Sequence, residues 1–110
     1  MTENEKAILT IISSAGDSKS KAFEALKKCE TSDYAGARAL MEEARIADVE
    51  AHKKQTEMIT AEMSGNQADK EAISLLMVHA QDHYMSSQLA RDLIEILIDV
   101  FESKEKGEKK

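Results

Sequence analysis

Apolar residues recur every three or four positions along most of the chain, which is the spacing of amphipathic α-helices. This pattern predicts three helices, over about residues 2–28, 34–63 and 70–101. Thr2-Glu3-Asn4-Glu5 has the spacing of a capping box at the start of the first helix. Thr31-Ser32-Asp33 supplies side chains that cap the start of the second. The chain is therefore predicted to fold as successive helices joined by short turns.

The third predicted helix carries two apolar stripes when its residues are placed at about 100° intervals around the axis. The first stripe is typical of a helix packed inside a bundle, and it contains Ile73, Leu76, Met77, Ala80, Tyr84, Ile94, Ile98 and Phe101. The second stripe lies roughly opposite, and it contains Leu75, Val78, Met85, Leu89, Leu93, Ile96 and Val100. Two antiparallel neighbours in a chain of 110 residues would not normally cover both stripes. The second stripe is therefore predicted to lie at an interface between subunits.

Asp82 falls in the middle of the second stripe. A carboxylate in an apolar interface is costly unless it is paired, protonated or bound to a cation. In a symmetric oligomer, copies of Asp82 around the axis could share a hydrated metal ion. The pattern thus indicates a candidate metal ligand at the predicted interface.

The composition supports an all-α fold. The chain has 42% apolar and 33% charged residues, no Pro, no Trp and four Gly, and it is rich in residues that favour helices. The inner face of the second helix is rich in Ala, which allows neighbouring helices to approach closely. We predict an antiparallel three-helix up-and-down bundle formed by residues 1–102, followed by a flexible charged tail at 103–110.

The charge and the cysteine content narrow the classes of function. A formal net charge of −6 argues against binding to nucleic-acid backbones, which requires clustered Lys and Arg. No apolar run approaches the length of a membrane span, and the N-terminus lacks a signal-peptide pattern, so no direct membrane insertion is expected. Cys29 is the only cysteine and cannot form an intrachain disulfide. A cytoplasmic location is predicted.

Two features of the first and second helices have more than one interpretation. Gly16 interrupts the first helix, and close packing against a neighbouring helix is favoured over a kink or a functional opening. His52, Gln55 and Thr56 form a polar cluster at i, i+3 and i+4 on the second helix. This cluster is interpreted either as solvated surface or as a support for a site on the third helix.

The densest candidate chemistry lies on the third helix, where His79, Asp82 and His83 fall at i, i+3 and i+4. One interpretation is structural, with two polar residues tolerated at a helix interface. A second is a metal site with H-x-x-D-H spacing, although the only further histidine is His52. A third is a nucleophilic histidine that accepts a phosphoryl group from another protein, since the chain lacks a Gly-rich phosphate loop.

Three stretches resemble the enzyme IIA component of the lactose/cellobiose class of the bacterial sugar phosphotransferase system. They are Ala15-Gly16-Asp17-Ser18-Lys19-Ser20-Lys21-Ala22 with Glu24-Ala25-Leu26, Glu50-Ala51-His52 with Gln55-Thr56, and His79-Ala80-Gln81-Asp82-His83. The similarity extends from Ala15 to about Phe101 with the same order and compatible spacing. Members of that family are trimers of three-helix subunits, so the resemblance implies a homotrimer.

The resemblance also implies roles for individual residues and partners. His79 is expected to accept phosphate from the histidine phosphocarrier protein and to pass it to a cysteine of the cognate enzyme IIB, which works with a membrane-embedded IIC. Asp82 is expected to hold a divalent metal ion, magnesium, on the trimer axis. His83 and Gln81 are carried over as supports for the phosphohistidine. A β-linked disaccharide of the cellobiose or lactose type is the expected transported sugar.

Overall fold

Three long helices make up most of the residues that the structure describes. The computed structural model describes residues 1–64 and 74–108, with helix α1 at Glu3–Lys28, α2 at Tyr34–Met63 and α3 at Leu75–Glu108. The described part of the molecule is elongated, with extents of 63 × 23 × 20 Å. These helices confirm the predicted all-α fold class.

The capping predicted from the sequence sets the starts of α1 and α2. The backbone N–H of Glu5 donates to Thr2 Oγ1 and the backbone N–H of Thr2 donates to Glu5 Oε1, both at 3.0 Å, which completes the capping box. At the start of α2, the backbone N–H of Gly36 donates to Asp33 Oδ1 at 2.9 Å. Between these helices the chain reverses through a single 3₁₀ turn and through Ser32, which has a left-handed φ of 59°. Such caps satisfy backbone N–H groups that have no partner inside the helix.

The end of α3 differs from the prediction. The helix was expected to end near Phe101, but it continues to Glu108. Glu105 Oε2 accepts hydrogen bonds from Ser32 Oγ at 2.7 Å and from the Tyr34 hydroxyl at 2.5 Å. Because this contact with the α1–α2 turn is polar, an apolar pattern could not reveal it. Flexibility of residues 103–110 stays a prediction, and the last two residues lie outside the described ranges.

The core forms two clusters along the bundle, and they show the direction of each helix. One cluster joins the second half of α1, the first half of α2 and the second half of α3, and consists of Ala22, Ala25, Ala37, Met41, Ala44, Ile94 and Ile98. The other joins the opposite halves, and consists of Ile8, Ile11, Ala51, Ala80 and Tyr84. Helices α1 and α3 therefore run in the same direction, and α2 runs against both. This arrangement is the predicted up-and-down bundle.

Polar contacts join α2 to α3. Arg38 Nη2 of α2 lies 2.8 Å from Asp99 Oδ1 and 3.0 Å from Glu102 Oε1 of α3. Nearer the middle of the bundle, Arg91 Nη1 lies 3.1 Å from Asp48 Oδ2, and Asp48 is only 4% exposed. The buried pair of Asp48 with Arg91 favours one rotation of α3 relative to α2, because a buried charge tolerates few arrangements of its partner. The exposed Arg38 pairs contribute less, since solvent screens them.

Gly16 does not pack closely against a neighbouring helix, so that prediction was wrong. Within residues 1–64 and 74–108, a Cβ built on Gly16 meets no heavy atom within 4 Å other than its two chain neighbours and the nearby backbone of its own helix. The fold of a single subunit thus leaves room for a side chain at this position.

The second apolar stripe of α3 lies on the outside of the subunit. Each of its seven residues is at least 40% exposed: Leu75, Val78, Met85, Leu89, Leu93, Ile96 and Val100. Ala80, Tyr84, Ile94 and Ile98 of the first stripe are buried, as predicted, and Met77 is half-buried. The prediction was wrong for Leu76 and Phe101, which are 38% and 43% exposed, and Ile73 lies outside the described residues. Across the described ranges, no helix combines the length and apolar character needed to cross a bilayer.

Candidate functional site

His79 and His83 lie one turn apart on α3 and contact each other. Their Nε2 atoms are 3.1 Å apart, and the ring centroids are 4.5 Å apart with planes inclined by 83°. The side chain of His79 is exposed, and that of His83 is half-buried. A hydrogen bond between two imidazole nitrogens requires that one carry the proton and the other a lone pair. The pair therefore presents one imidazole at the surface beside a second imidazole that can donate or accept a hydrogen bond.

Gln81 faces a different direction from this pair. Its Nε2 donates to Gln55 Oε1 of α2 at 2.6 Å. Two residues along a helix correspond to a rotation of about 200°, so the side chains of His79 and Gln81 leave nearly opposite sides of α3. Any support that Gln81 gives to His79 must therefore act through the placement of α3 on α2.

Another polar contact between α2 and α3 involves Tyr84, the residue that follows His83. Tyr84, only 6% exposed, places its hydroxyl oxygen 2.8 Å from His52 Nδ1 of α2, and Gln88 Nε2 donates to the same oxygen at 2.9 Å. Because Gln88 supplies a donor to this oxygen, the hydroxyl proton is available to His52 Nδ1. Two members of the polar cluster on α2, His52 and Gln55, thus contact α3 through Tyr84 and Gln81, so the cluster is not solvated surface alone. Within the described ranges no hydrogen bond joins His52 to His79 or His83, and Thr56 is exposed.

Tyr84 also lies near the buried ion pair of Asp48 with Arg91. Burial raises the pKa of the Tyr84 hydroxyl, the negative charge of Asp48 raises it further, and Arg91 and the Gln88 hydrogen bond oppose the shift. The apolar pattern included Tyr84 only as a core residue and did not include Asp48. The signal that could have revealed Asp48 is its position four residues after Ala44, on the buried face of α2.

Asp82 lies on the exposed stripe of α3, between Val78 and Met85. Its side chain is exposed in the single subunit, so the carboxylate is hydrated there. Its position confirms that a carboxylate interrupts an outward apolar surface. Hard cations such as Mg²⁺ prefer oxygen ligands of this kind.

The three-ligand metal interpretation of the H-x-x-D-H spacing finds no support in the geometry. Within residues 1–64 and 74–108, no group of three or more His, Cys, Asp or Glu side chains converges on one point. Zinc in hydrolytic enzymes is usually held by three protein ligands with one open position. The described part of one subunit therefore offers no such catalytic centre.

Cys29 is half-buried at the end of α1 and packs against the core cluster that contains Ala25. Burial raises the pKa of its thiol, and the nearby charge of Arg38 opposes this shift only in part. A thiol with a raised pKa holds less thiolate at neutral pH and is a weaker nucleophile. Cys29 therefore behaves as a small, partly buried hydrophobe instead of a reactive thiol.

Comparison with known proteins places these features in a family. The family model described as "PTS system, Lactose/Cellobiose specific IIA subunit" matches residues 6–102. The N,N'-diacetylchitobiose-specific EIIA component of Escherichia coli strain K12 is 41% identical over 100 residues, which cover 91% of this chain and 84% of that protein.

Two solved structures share the fold. The cellobiose-specific enzyme IIA from Bacillus anthracis superposes with a TM-score of 0.88 at 36% identity, covering 96% of this chain and 94% of that one. The IIA(chitobiose) chain solved in complex with HPr, from the Escherichia coli phosphotransferase system, gives a TM-score of 0.77 at 39% identity, covering 96% and 99% of the two chains.

Proposed function

Because the chain belongs to the family of lactose/cellobiose-specific IIA subunits of the phosphotransferase system, we propose that it carries a phosphoryl group on His79. Subunits of this family are phosphotransferase components. The proposed donor is the histidine phosphocarrier protein, HPr, and the proposed acceptor is a cysteine of the cognate enzyme IIB. The transported sugar is proposed to be a β-linked disaccharide of the cellobiose or lactose type.

The contact between His79 and His83 is the observation that supports this assignment best. His79 is exposed and can be reached by another protein, whereas His52 uses Nδ1 in its contact with the buried Tyr84. A relative of known structure forms a complex with HPr, which supports the same donor here. A phosphoryl group on an exposed helix surface is also open to the second partner that must receive it.

The proposed reaction has two transfers. In the first, a lone pair on the His79 imidazole attacks the phosphorus of the donor phosphohistidine, so that one N–P bond forms and the other breaks. In the second, the thiolate of enzyme IIB attacks the same phosphorus, and the bond to His79 breaks as an S–P bond forms. Neither transfer requires a cofactor to change oxidation state. The protein contributes by positioning the reacting groups and by stabilising the charge of the phosphoryl group.

His83 and Gln81 are proposed to support His79 in different ways. An Nε2–H of His83 lies close enough to the His79 ring to donate to an oxygen of a phosphoryl group held there. Gln81 acts at a distance through its hydrogen bond to Gln55, which resists rotation of α3 on α2. The two contributions predict that loss of the His83 side chain affects transfer more than loss of the Gln81 side chain.

The active assembly is proposed to be a homotrimer with the exposed α3 stripe at its centre. Seven apolar side chains on one helix face, each at least 40% exposed in the single subunit, form a continuous surface that favours association. Three-fold association would bury this surface and leave His79, at the edge of the stripe, near the neighbouring subunit.

The residues fit a divalent metal ion on the axis of that trimer. Asp82 is an exposed carboxylate within an otherwise apolar stripe, and burying three such charges together is costly unless a cation compensates them. The ion is proposed to be Mg²⁺, held by Asp82 of each copy, and its charge would allow the carboxylates to remain ionised in the interface.

A reconstituted relay tests the proposed function. Phosphoenolpyruvate, enzyme I and HPr are combined with a purified cellobiose- or lactose-type enzyme IIB, and phosphocysteine on that protein is measured with and without this chain. Phosphocysteine is expected only when the chain is present.

The matched variants are His79→Ala and His52→Ala. The proposal expects the first to abolish phosphocysteine formation and the second to retain it, since His52 lies on α2 and contacts Tyr84 instead of His79. Full transfer by His79→Ala would contradict the assignment of the acceptor.

A further inference from the structure

The contact between His79 and His83 has the dimensions of a metal chelate. Two imidazole nitrogens bound to one zinc ion, each about 2.05 Å from it, are about 2.9 Å apart at a 90° angle and about 3.3 Å apart at a tetrahedral angle. The two Nε2 atoms are 3.1 Å apart, between these values. The side-chain torsion that aims an imidazole ring is soft, so both lone pairs can turn toward one ion without movement of the helix.

We propose that His79 and His83 form a two-histidine site for a borderline divalent transition-metal ion, for which Zn²⁺ is the reference. Imidazole nitrogen suits Zn²⁺, Cu²⁺ and Ni²⁺, whereas Mg²⁺ and Ca²⁺ prefer oxygen. In the described part of the subunit no third His, Cys, Asp or Glu completes the site, and water is the proposed ligand at the other positions of the ion. The bound ion is therefore exchangeable.

Metal binding at this site would prevent acceptance of a phosphoryl group, and this consequence rests on the proposed role of His79. A neutral imidazole has one nitrogen with a lone pair and one with a proton. When a metal occupies the lone pair of His79 Nε2, the remaining nitrogen, Nδ1, is protonated and is not a nucleophile. Zinc therefore blocks transfer to either nitrogen and acts as a reversible inhibitor.

This site differs in chemistry and place from the proposed magnesium site. Asp82 offers carboxylate oxygen on the outward apolar stripe, whereas the histidine pair offers two nitrogens beside it. An excess of Mg²⁺ is accordingly expected to leave Zn²⁺ binding by the pair unchanged.

Isothermal titration calorimetry with ZnCl₂ tests the site without any phosphate donor. Wild-type protein in excess Mg²⁺ is expected to bind one Zn²⁺ per chain, and both His79→Ala and His83→Ala are expected to weaken this binding by at least about tenfold, since each leaves one imidazole. His52→Ala is the matched control and retains the wild-type affinity. Equal affinity in the wild type and in the two site variants would overturn the proposal.

A second measurement tests the inhibition. HPr is phosphorylated in advance and freed of metal, and the rate of phosphoryl transfer to the chain is measured with and without Zn²⁺. For the wild type, the ratio of the rate with Zn²⁺ to the rate without it is expected to be about one tenth or less, in line with occupancy of the site. For His83→Ala the same ratio is expected to stay close to one. The same ratio in both proteins would overturn the inhibition. Failure of the transfer alone would leave the calorimetric result intact, so the two proposals fail separately.

Discussion

At the scale of single residues, Tyr84 connects the site helix to the polar interior of the bundle. Its neighbour in sequence, His83, faces His79, while its own hydroxyl faces His52 and Gln88. Adjacent residues of one helix point about 100° apart, so this division between surface and interior follows from helix geometry. Rotation of α3 would therefore break the contact between Tyr84 and His52 and would at the same time move His79 and His83.

The raised pKa of Tyr84 predicts a loss of stability at alkaline pH. In the unfolded chain a tyrosine hydroxyl titrates near pH 10, whereas in the folded protein it titrates higher because burial and Asp48 disfavour the anion. Between these pH values the unfolded chain has lost a proton that the folded protein keeps, so the free energy of unfolding falls as the pH rises.

Urea denaturation from about pH 9 to about pH 11 measures this effect, and Tyr84→Phe is its control. The variant lacks the titrating hydroxyl and is expected to show a smaller fall over the same range, although lysines titrate in both proteins. Parallel curves for the wild type and the variant would show that Tyr84 does not contribute.

The site could be predicted only in part from the sequence. The i and i+4 spacing of His79 and His83 was enough to place both on one surface, and the structure adds their contact at 3.1 Å. The partner of Gln81 could not be predicted, because the hydrogen bond to Gln55 depends on which residues of α2 lie beside that face of α3. The pairing of His52 with Tyr84 was also missed, since an apolar pattern treats tyrosine as a core residue and ignores its hydroxyl.

At the scale of helices, substitution of Gly16 and of Gly36 by alanine is predicted to change the free energy of unfolding in opposite directions. Gly16→Ala is expected to raise the free energy of unfolding by about 0.5–1 kcal/mol, because alanine favours helix and its Cβ meets open space. Gly36→Ala is expected to lower it by about 1 kcal/mol, because its Cβ would overlap the Asp33 carboxylate that caps α2. Urea denaturation of the wild type and both variants at one protein concentration measures these changes in the free energy of unfolding. Destabilisation by Gly16→Ala would indicate that the open space is filled in the assembled protein.

Helix limits were predictable wherever a local signal marks them. Thr2 and Asp33 cap their helices through contacts within three residues, so short patterns located both starts. The end of α3 depends instead on Glu105 meeting Ser32 and Tyr34, more than 70 positions earlier in the chain. A contact between residues so distant in sequence leaves no periodic signal.

The contact of Glu105 predicts which change would loosen the end of α3. Glu105→Ala removes the acceptor for Ser32 and Tyr34 and is expected to speed amide hydrogen exchange over residues 103–108. Alanine favours helix more than glutamate does, so faster exchange would reflect the lost contact. Ser103→Ala serves as the control, and equal exchange in the two variants would mean that Glu105 does not anchor the helix.

At the scale of the whole molecule, the outward stripe of α3 predicts how the assembly responds to metal and mutation. Chelation of divalent ions is expected to loosen the proposed trimer, because its three Asp82 carboxylates would then lose the cation proposed to lie between them. Asp82→Leu is expected to leave trimer stability unchanged or to raise it by about 1–4 kcal/mol, because leucine matches the stripe.

Sedimentation velocity with and without chelator measures this response in both proteins. The account expects a chelator-sensitive trimer for the wild type and an insensitive trimer for Asp82→Leu. Dissociation of the variant would show that the carboxylate cluster is needed for assembly, and a wild-type monomer at micromolar concentration would contradict the trimer.

The central claim is that His79 accepts the phosphoryl group, and intact-protein mass spectrometry tests it most directly. The wild type, His79→Ala and His52→Ala are each mixed with phosphoenolpyruvate, enzyme I and HPr, and their masses are recorded before and after acid treatment. The account predicts one acid-labile phosphoryl group on the wild type and on His52→Ala, and none on His79→Ala. A phosphoryl group on His79→Ala, or its absence from the wild type while HPr is fully phosphorylated, would contradict the account.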